Sequence, residues 1–299
     1  MKSVASSEPI AVQATGRRPP SRSFWSNVGR RVARDPVTVI CAALVLAVVL
    51  AAILAPYVAP ADPYRTSMVR RLLPVGSPGY PLGTDELGRD ILSRLIYGAR
   101  LSLVMGISPV VIATLIGGLL GVIAGYAGGL RNMMIMRVID IFYAFPSVLL
   151  AVAISGVLGA GLGNTIFSLV LVFVPPLARV AESITIQVRS QDYVEAALAT
   201  GASGWRVVCD HVIPNVTGPI VSYASSLISV SIVLASGLSF LGLGITPPEP
   251  EWGLMLNSLR QAIYVAPLNA VLPGIMIFVT SMCFNLMSEG LRAAMDVKQ

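Results

Sequence analysis

Six long apolar runs alternate with polar stretches along the 299 residues of the chain. Each run is long enough to cross a hydrocarbon core of about 30 Å as a helix. In lipid, backbone polar groups are satisfied only inside helices or closed barrels. The pattern therefore predicts an all-α polytopic membrane protein with six transmembrane helices, at residues 37–61, 101–130, 133–157, 165–186, 218–243 and 267–290.

The polar stretches divide this predicted protein into a tail, a first span, a loop and a core. Residues 1–36 are predicted to be a cytoplasmic N-terminal tail, 37–61 the first transmembrane helix, 62–100 an exterior loop and 101–299 the core. In the second span, glycines at positions 117, 121 and 125 would let another helix approach closely. A Pro-Pro pair at 175–176 is expected to kink the fourth span.

The stretch from Tyr193 to Asn215 has the pattern of two short helices joined by a glycine. Tyr193 to Thr200 favours helix, and Gly201 suits a left-handed helix stop. Ser203 can cap a second piece that runs to His211, and Pro214 is expected to end it. Such a hairpin is expected to have no hydrophobic core of its own, so it would lie on the membrane or insert into a partner.

Basic residues indicate the orientation of the six spans. Seven of them lie in residues 1–36, and the segments predicted to be inside hold about twice as many as those predicted to be outside. Because basic residues accumulate on the cytoplasmic side, both termini and the stretch 193–215 are predicted to be cytoplasmic. The predicted location is a bacterial plasma (inner) membrane, crossed several times.

The amino-acid composition argues against several functional classes. The chain is 55% hydrophobic and 12% charged, with a net charge of +6 that suits anionic lipid rather than nucleic acid. Lysine occurs only at positions 2 and 298, which excludes a phosphate-binding Walker A loop. Three scattered cysteines and a lone histidine suggest neither a disulfide framework nor a metal site. The chain is predicted not to be an enzyme.

Charged residues inside the apolar runs lie near predicted cytoplasmic ends. Arg137 with Asp140, and Arg179 with Glu182, are three residues apart and can each share a helix face. An ion-coupled carrier would place such groups near the middle of the membrane. The alternatives from other classes are an ATPase-independent channel or secondary carrier, and a membrane-anchored signalling or assembly subunit.

Four motifs resemble one family of transport proteins. EAALATG at 195–201, followed by VIPN at 212–215, resembles the cytoplasmic "EAA" loop of ABC-importer permeases. GTDELGRDILSRLIYGARLSL at 83–103, FPS at 145–147 and GLSFLGLGITPPEPEWG at 237–253 resemble the C-type subunit of the dipeptide, oligopeptide and nickel branch. The likeness runs from about Asp35 to the C-terminus. Gly204 departs from the branch, which often has a polar or acidic residue there.

The resemblance implies a type I ABC-importer permease fold, with a five-helix core and an extra N-terminal span. It places a permease core at 101–299 and a cytoplasmic coupling loop at 188–216. Residues implied to contact the ATPase are Tyr193, Glu195, Ala196, Ala197, Gly201, Trp205, Arg206, His211 and Pro214. Candidates for the translocation path are Tyr143, Phe145, Ser147, Asn164 and Ser239.

The partners implied are a homologous second permease, two ATP-binding subunits that dock on 193–215, an extracytoplasmic substrate-binding protein and membrane lipid. No cofactor is expected in this chain, since ATP and Mg²⁺ would bind the partner ATPases. The expected function is import of dipeptides or oligopeptides by alternating access. Nickel, other metal chelates, haem and glycosides remain alternatives, although a bare metal ion would find few ligands here.

The motif GTDELGRD at 83–90 has two interpretations. The resemblance implies a structural exterior segment near the start of the core, which can touch the binding protein or the partner permease. Taken alone, Thr84 with Glu86 or Asp85 can cap an interfacial helix. The structural interpretation is preferred. The acidic spacing does not match a calcium loop, because the remaining ligand positions do not follow.

Overall fold

The computed structural model describes residues 24–295; the first 23 residues of the predicted tail and the last four residues of the chain lie outside that range. The described part is helical and contains no β-strand, only two isolated bridges. The predicted all-α class is therefore confirmed. The helices are α1 (Phe24–Val32), α2 (Pro36–Ile53), α3 (Ala55–Val58), α4 (Ile91–Ala127), α5 (Gly129–Tyr143), α6 (Ser147–Leu158), α7 (Leu162–Arg189), α8 (Asp192–Ala199), α9 (Gly204–Val207), α10 (Ile213–Phe240), α11 (Trp252–Leu259) and α12 (Pro267–Met295).

Five stretches are long and apolar enough to cross a membrane, and there are six if the bent pair α5–α6 counts as one span. This pair is bent by 82°, so the apolar run predicted as a span at 133–157 is broken in the structure. The break follows from Pro146, whose ring disfavours a helical conformation in the residue before it and cannot donate a helical hydrogen bond. The apolar pattern continues through the break and does not reveal it.

The second span begins at Ile91, ten residues before the predicted start at 101. Asp90 caps it by accepting a hydrogen bond of 2.7 Å from the backbone N–H of Ser93. Residues 91–100 therefore do not belong to the loop predicted at 62–100. The prediction failed because Arg94 and Arg100 look like loop residues in sequence. In the structure Arg94 is buried beside Asp85, at 3.4 Å.

The hairpin's second half continues into the fifth span. A π-helical turn at Val208–Val212 joins α9 to α10, and the backbone N–H of Ile213 bonds the carbonyl of Val208. The prediction that Pro214 ends the segment is wrong. Pro214 lies in the first turn of α10, directly after the π turn, where its missing N–H is tolerated.

The two ends of the bundle carry different segments. One end carries α8 and α9, together with the end of α4 and the start of α5; we call it the hairpin end. The other carries residues 59–90 and 241–266, and we call it the loop end. The backbone N–H of Ala61 bonds the hydroxyl of Ser93 at 3.0 Å, and Tyr64 bonds Glu249 at 2.8 Å, so the two loops there meet.

Helices α4 and α7 pack closely against each other along Gly117, Gly121 and Gly125, as the glycine spacing predicted. A Cβ added to Gly117 would lie 2.7 Å from the carbonyl oxygen of Val174, and one on Gly125 would lie 2.8 Å from that of Glu182. Between them, a Cβ on Gly121 would lie 2.6 Å from the Cβ of Ala181. Real atoms do not approach that closely, so these three positions must be glycine for the two backbones to touch. We call residues 117, 121 and 125 the glycine stripe.

We predict that Gly121→Ala destabilises the protein and that Gly118→Ala does not. Both changes raise helix propensity by about the same amount, but Gly118 has only the Cγ2 of Ile220 nearby, at 3.9 Å. The clash at 121 should cost about 1–3 kcal/mol. Thermal unfolding of the two purified variants measures the difference, and equal midpoints would contradict the packing described.

Candidate functional site: the hairpin and the cavity at the broken span

The turn of the hairpin is built from local bonds. Gly201 has φ +86°, a conformation that favours glycine. Its backbone N–H bonds the carbonyl of Leu198 at 3.0 Å, and that of Ala202 bonds Ala197 at 3.2 Å. Ser203 caps α9 through the N–H of Arg206, at 3.4 Å. The predicted roles of Gly201 and Ser203 in this turn are confirmed.

The inner face of the hairpin has a hydrophobic core, contrary to expectation. Val194 of α8, Val207 of α9 and Val212 of the π turn are all fully buried. They pack in one cluster with Val122 of α4, Ala181 of α7, and Val216 and Ile220 of α10. Sequence reasoning missed this core because its valines are spaced along two short pieces and gain partners only when three spans meet beneath them.

Tyr126, at the end of α4, adds a contact that the sequence did not point to. A Cβ on Gly204 would lie 3.2 Å from its hydroxyl, so the small residue lets α9 begin against this ring. The guanidinium of Arg189 lies over the same ring, 5.7 Å from its centre. Gly204, the departure from the family pattern, therefore has a packing reason within this chain.

The outer face of the hairpin is open to solvent. Trp205 is 78% exposed and Tyr193 is 45% exposed, while Glu195 and Ala196 are also exposed and Ala197 is half-buried. Within residues 24–295, Glu195 forms no ion pair. The structure thus places an aromatic ring, an acid and small residues on one rigidly supported surface.

The remaining predicted contact residues lie at the edge of that surface. Arg206 faces Asp210 one turn later, 3.7 Å away, and both are exposed. The half-buried His211 packs edge-on against Tyr193, with ring centres 6.2 Å apart. Pro214 is exposed in the first turn of α10.

A cavity of about 290 Å³ lies at the break between α5 and α6. Three of the five predicted path residues line it: Tyr143, Phe145 and Ser147. Its other walls come from α7 and α10, and include the buried Phe173. No charged side chain is among the lining residues, which are aromatic, aliphatic, proline and one serine.

The other two predicted path residues lie elsewhere and have structural partners. The amide of Asn164 donates to the carbonyls of Leu158 and Gly159, at 2.9 and 3.1 Å, and so closes the end of α6. Ser239 is fully buried and accepts a hydrogen bond of 3.4 Å from the backbone N–H of Ile245. The structure therefore brings together only part of the predicted set.

Polar contacts hold α5 against α7 on the hairpin side of the cavity. The amide of Asn132 donates to Glu182 at 2.7 Å, and Asp140 forms an ion pair with Arg179. Arg179 lies 3.9 Å from Glu182, as its spacing predicted. Arg137 and Asp140 are one turn apart on α5, but Asp140 pairs with Arg179 of the neighbouring helix.

The motif at 83–90 forms a buried polar platform at the loop end. Asp85 accepts hydrogen bonds from the backbone N–H groups of Leu87 and Arg89, both at 2.9 Å, and pairs with the Arg89 side chain at 2.6 Å. Burial and the neighbouring Asp85 raise the pKa of Glu86. The structural interpretation is confirmed, but the residue that caps the helix is Asp90, not Thr84, Asp85 or Glu86.

Glu251 is a buried acid that sequence reasoning did not single out. Its carboxylate caps α11 by accepting from the N–H groups of Gly253 and Leu254, both at 2.8 Å, and it accepts a further bond of 3.0 Å from Ser102. Burial raises its pKa. The indole of the adjacent Trp252 donates to Leu95 at 2.9 Å. A Glu followed by Trp-Gly, directly before an amphipathic piece, was the available signal.

Among residues 24–295, no group of three or more His, Cys, Asp or Glu side chains is arranged to hold a metal ion. The polar clusters found there pair acids with arginines or with backbone N–H groups.

Comparison with known proteins assigns the class. Residues 117–298 match the family model described as "Binding-protein-dependent transport system inner membrane component". Residues 23–74 match the "N-terminal TM domain of oligopeptide transport permease C". The chain belongs to this family of inner-membrane transport permeases.

Individual relatives cover most of the chain. It is 38% identical over 281 residues to a glutathione transport system permease protein, GsiD, of Pectobacterium atrosepticum. That alignment covers 94% of this chain and 92% of the relative. It is 40% identical over 277 residues to the protein of the same name from Escherichia coli, with 93% and 91% covered. It is 45% identical over 223 residues to a di/tripeptide transport system permease protein, DppC, of Pseudomonas aeruginosa, with 75% and 74% covered.

The fold also resembles a solved transporter. A chain of the MetNI methionine ABC transporter, in a structure described as inward facing, aligns with a TM-score of 0.55 and 16% identity. The alignment covers 68% of this chain and 97% of that one. The fold is thus that of an ABC-importer permease, with additional chain beyond the shared core.

We predict that Val207→Ala loosens the hairpin and that Trp205→Ala leaves its stability unchanged. Removing buried methyl groups should cost about 1–3 kcal/mol, whereas Trp205 is mostly exposed. Amide hydrogen exchange across residues 192–212 of the purified protein measures the effect. Faster exchange in both variants, or in neither, would contradict the buried inner face.

Proposed function

We propose that this chain is one of two permease subunits of an ATP-driven importer that carries short peptides into the cytoplasm by alternating access. The single observation that carries the proposal is the hairpin: its inner face is buried against α4, α7 and α10, while its outer face is exposed. A surface segment so firmly attached to three spans can transmit force to them. The homologous second permease subunit would complete the pathway.

The outer face of the hairpin fits a groove on an ATPase subunit. A short helix that presents an aromatic residue and small residues is suited to helix-in-groove recognition. Glu195 is exposed and has no ion pair among residues 24–295, so it is available for a basic or backbone N–H group of the partner. The scarcity of lysine supports nucleotide binding on a separate chain, so two ATP-binding subunits would hold ATP and Mg²⁺.

This role places the hairpin end in the cytoplasm and the loop end outside a bacterial inner membrane. Both termini are then cytoplasmic, which agrees with the bias of basic residues. An extracytoplasmic substrate-binding protein would deliver the cargo to the loop end. The family description, which names binding-protein-dependent transport, supports this arrangement.

The cargo is proposed to be dipeptides, tripeptides or short oligopeptides. Relatives of up to 45% identity carry names that specify glutathione and di- or tripeptides. The cavity at the broken span offers aromatic surface, a serine hydroxyl and no charged side chain. Such a lining would hold peptides of many sequences weakly, which suits release after delivery.

Movement would pass from the hairpin to the cavity through α7. When the ATPase subunits close, they would draw the hairpin of this chain toward its counterpart. The glycine stripe joins α7 to α4 as one rigid pair, and polar contacts join α7 to α5. The bend between α5 and α6 can then absorb the rotation, since a hinge needs a few residues that change backbone angle.

We predict that Glu195→Lys abolishes most transport without unfolding the protein. The reversed charge would face the ATPase groove, and loss of a charged anchor at an interface typically lowers affinity at least about tenfold. Uptake of a dipeptide and its stimulated ATP hydrolysis should both fall in the assembled complex. Gly201→Asp, which forces a side chain onto a left-handed turn, should act in the same direction.

Asp192→Lys is the matched control, because it reverses another exposed acid of the same helix. It should retain most transport if the contact is specific to Glu195. Undiminished uptake in Glu195→Lys, or equal loss in both variants, would contradict the docking role.

We also predict that Ser147→Trp blocks uptake while leaving the ATPase subunits attached. The added indole would fill much of the 290 Å³ cavity. Leu115→Trp is the control, since Leu115 is 69% exposed on α4 and does not line the cavity. Uptake by Ser147→Trp at the rate of the control would show that peptides do not pass here.

A further inference from the structure

The loop end carries an exposed projection that the proposed transport cycle does not use. Residues 65–71, which we call the arginine tip, contain a short 3-10 turn at Met68–Arg70. Val69 is 96% exposed and Met68 is 64% exposed. Two neighbouring apolar side chains are therefore presented to solvent on one short turn.

The arginine tip is held rigidly on the 83–90 platform. The backbone N–H of Ser67 donates to the carbonyl of Leu87 at 2.9 Å, and the backbone N–H of Leu72 donates to the carbonyl of Asp85 at 3.1 Å. The hydroxyl of Thr84 accepts from the backbone N–H of Leu73 at 2.8 Å. Both sides of the tip are therefore anchored, and its conformation is fixed before any partner arrives.

The backbone at the base of the tip is unusual. Leu72 has φ +53°, and it is the one non-glycine residue with positive φ in the range 24–295. Such a conformation is unfavourable for a branched side chain and persists only where surrounding contacts impose it. Its position directly after the tip shows that the shape of this projection is imposed by the platform.

The 83–90 platform contacts the first turns of two helices, α4 and α12. The amide of Asn269, in the first turn of α12, donates to the carbonyls of Leu73 and Thr84 at 2.7 and 3.1 Å. Asp90 begins α4 directly beneath the same segment. The tip is therefore joined to the ends of α4 and α12 through the platform.

The arginines of the loop end differ in whether their charge is used within the chain. Arg89 and Arg94 are buried and face Asp85. Arg100 donates to two carbonyls at the end of α2, those of Ala52 and Ile53.

The arginines of the tip lack acidic partners. Arg65, Arg70 and Arg71 are exposed, and none of them forms an ion pair in the described part of the chain. Arg70 donates to the hydroxyl of Tyr80 at 2.7 Å. Basic residues are disfavoured on the exterior side of membrane proteins, so three exposed arginines within residues 65–71 call for a partner that uses them.

We propose that the arginine tip is a docking point for the extracytoplasmic substrate-binding protein, on a face of that protein where carboxylates surround a shallow apolar depression. The inference rests on the proposed function, which places the loop end outside. Val69 fills the depression, and the arginines pair with the surrounding carboxylates, for which the guanidinium fork is suited. Charges at the rim of such a contact chiefly accelerate association.

The contact also has a route to the core. The platform that carries the tip caps α4, and α4 packs on α7 through the glycine stripe. A binding protein seated on the tip is therefore connected by hydrogen-bonded and close-packed segments to the helix from which the hairpin extends. Binding at the tip would thus be coupled to the position of the hairpin at the opposite end of the bundle.

The test uses the full complex in nanodiscs and the purified binding protein that stimulates its ATP hydrolysis. Val69→Glu should weaken binding of that protein by about tenfold or more, since a central apolar contact is lost and a like charge faces the carboxylates. Arg65→Glu should slow association and reduce its dependence on salt. Hydrolysis in the absence of the binding protein should be unchanged in both variants.

Arg260→Glu is the matched control, because it reverses one exposed arginine at the same end outside the tip. Unchanged binding in Val69→Glu, or equal slowing by Arg65→Glu and Arg260→Glu, would overturn the proposal. So would an effect seen only in nanodiscs of phosphatidylglycerol and not of phosphatidylcholine, which would assign the tip to anionic lipid. A wild-type complex that no binding protein stimulates would instead refute the proposed function.

Discussion

The contact between α4 and α7 is the constraint on which the rest of the structure depends. Because Gly117, Gly121 and Gly125 present no side chain, the two backbones touch along three successive turns. In a membrane, where no hydrophobic force drives helices together, such close approach is a main source of association. The hairpin extends from the end of α7 and rests on the end of α4, so its position is fixed by this pair.

Charged side chains are buried and paired at one end of that helix pair and exposed at the other. At the loop end, Asp85 and the arginines facing it are buried, and the acid also accepts two backbone N–H bonds. One carboxylate oxygen of Glu86 and one of Asp90 are buried there without a hydrogen-bond partner in the described part of the chain. At the hairpin end, Glu195 and Trp205 are left exposed on a firmly packed base. A rigid base under unsatisfied surface groups is the arrangement expected where another protein binds, since little ordering entropy then remains to be lost.

The broken third span gives the bundle a place to bend. Pro146 separates α5 from α6, and the cavity forms on the inner side of their 82° angle. Asn132 and Asp140 join the α5 half to α7 through polar contacts. The α6 half packs on α7 through apolar residues, among them the buried Ala151, and its end meets Asn164 at the loop end. The two halves are thus attached to the core by different kinds of contact.

Local sequence determined the class, the approximate spans, the glycine contact and the turn of the hairpin. Apolar length, four-residue spacing and the conformational freedom of Gly201 act within a few residues, so they can be recognised without a structure. The EAA and exterior motifs also indicated the family, which comparison confirms. The early start of α4 was missed because Arg94 looks like a loop residue until Asp85 is placed beside it.

Only the tertiary structure decided which side chains meet. Val194, Val207 and Val212 become a core when three spans converge beneath them, and Asp140 pairs with Arg179 rather than with its neighbour Arg137. Three of the predicted path residues share a cavity, while Asn164 and Ser239 serve helix ends and buried hydrogen bonds. These outcomes depend on contacts between residues far apart in the chain, and periodicity within one segment carries no information about them.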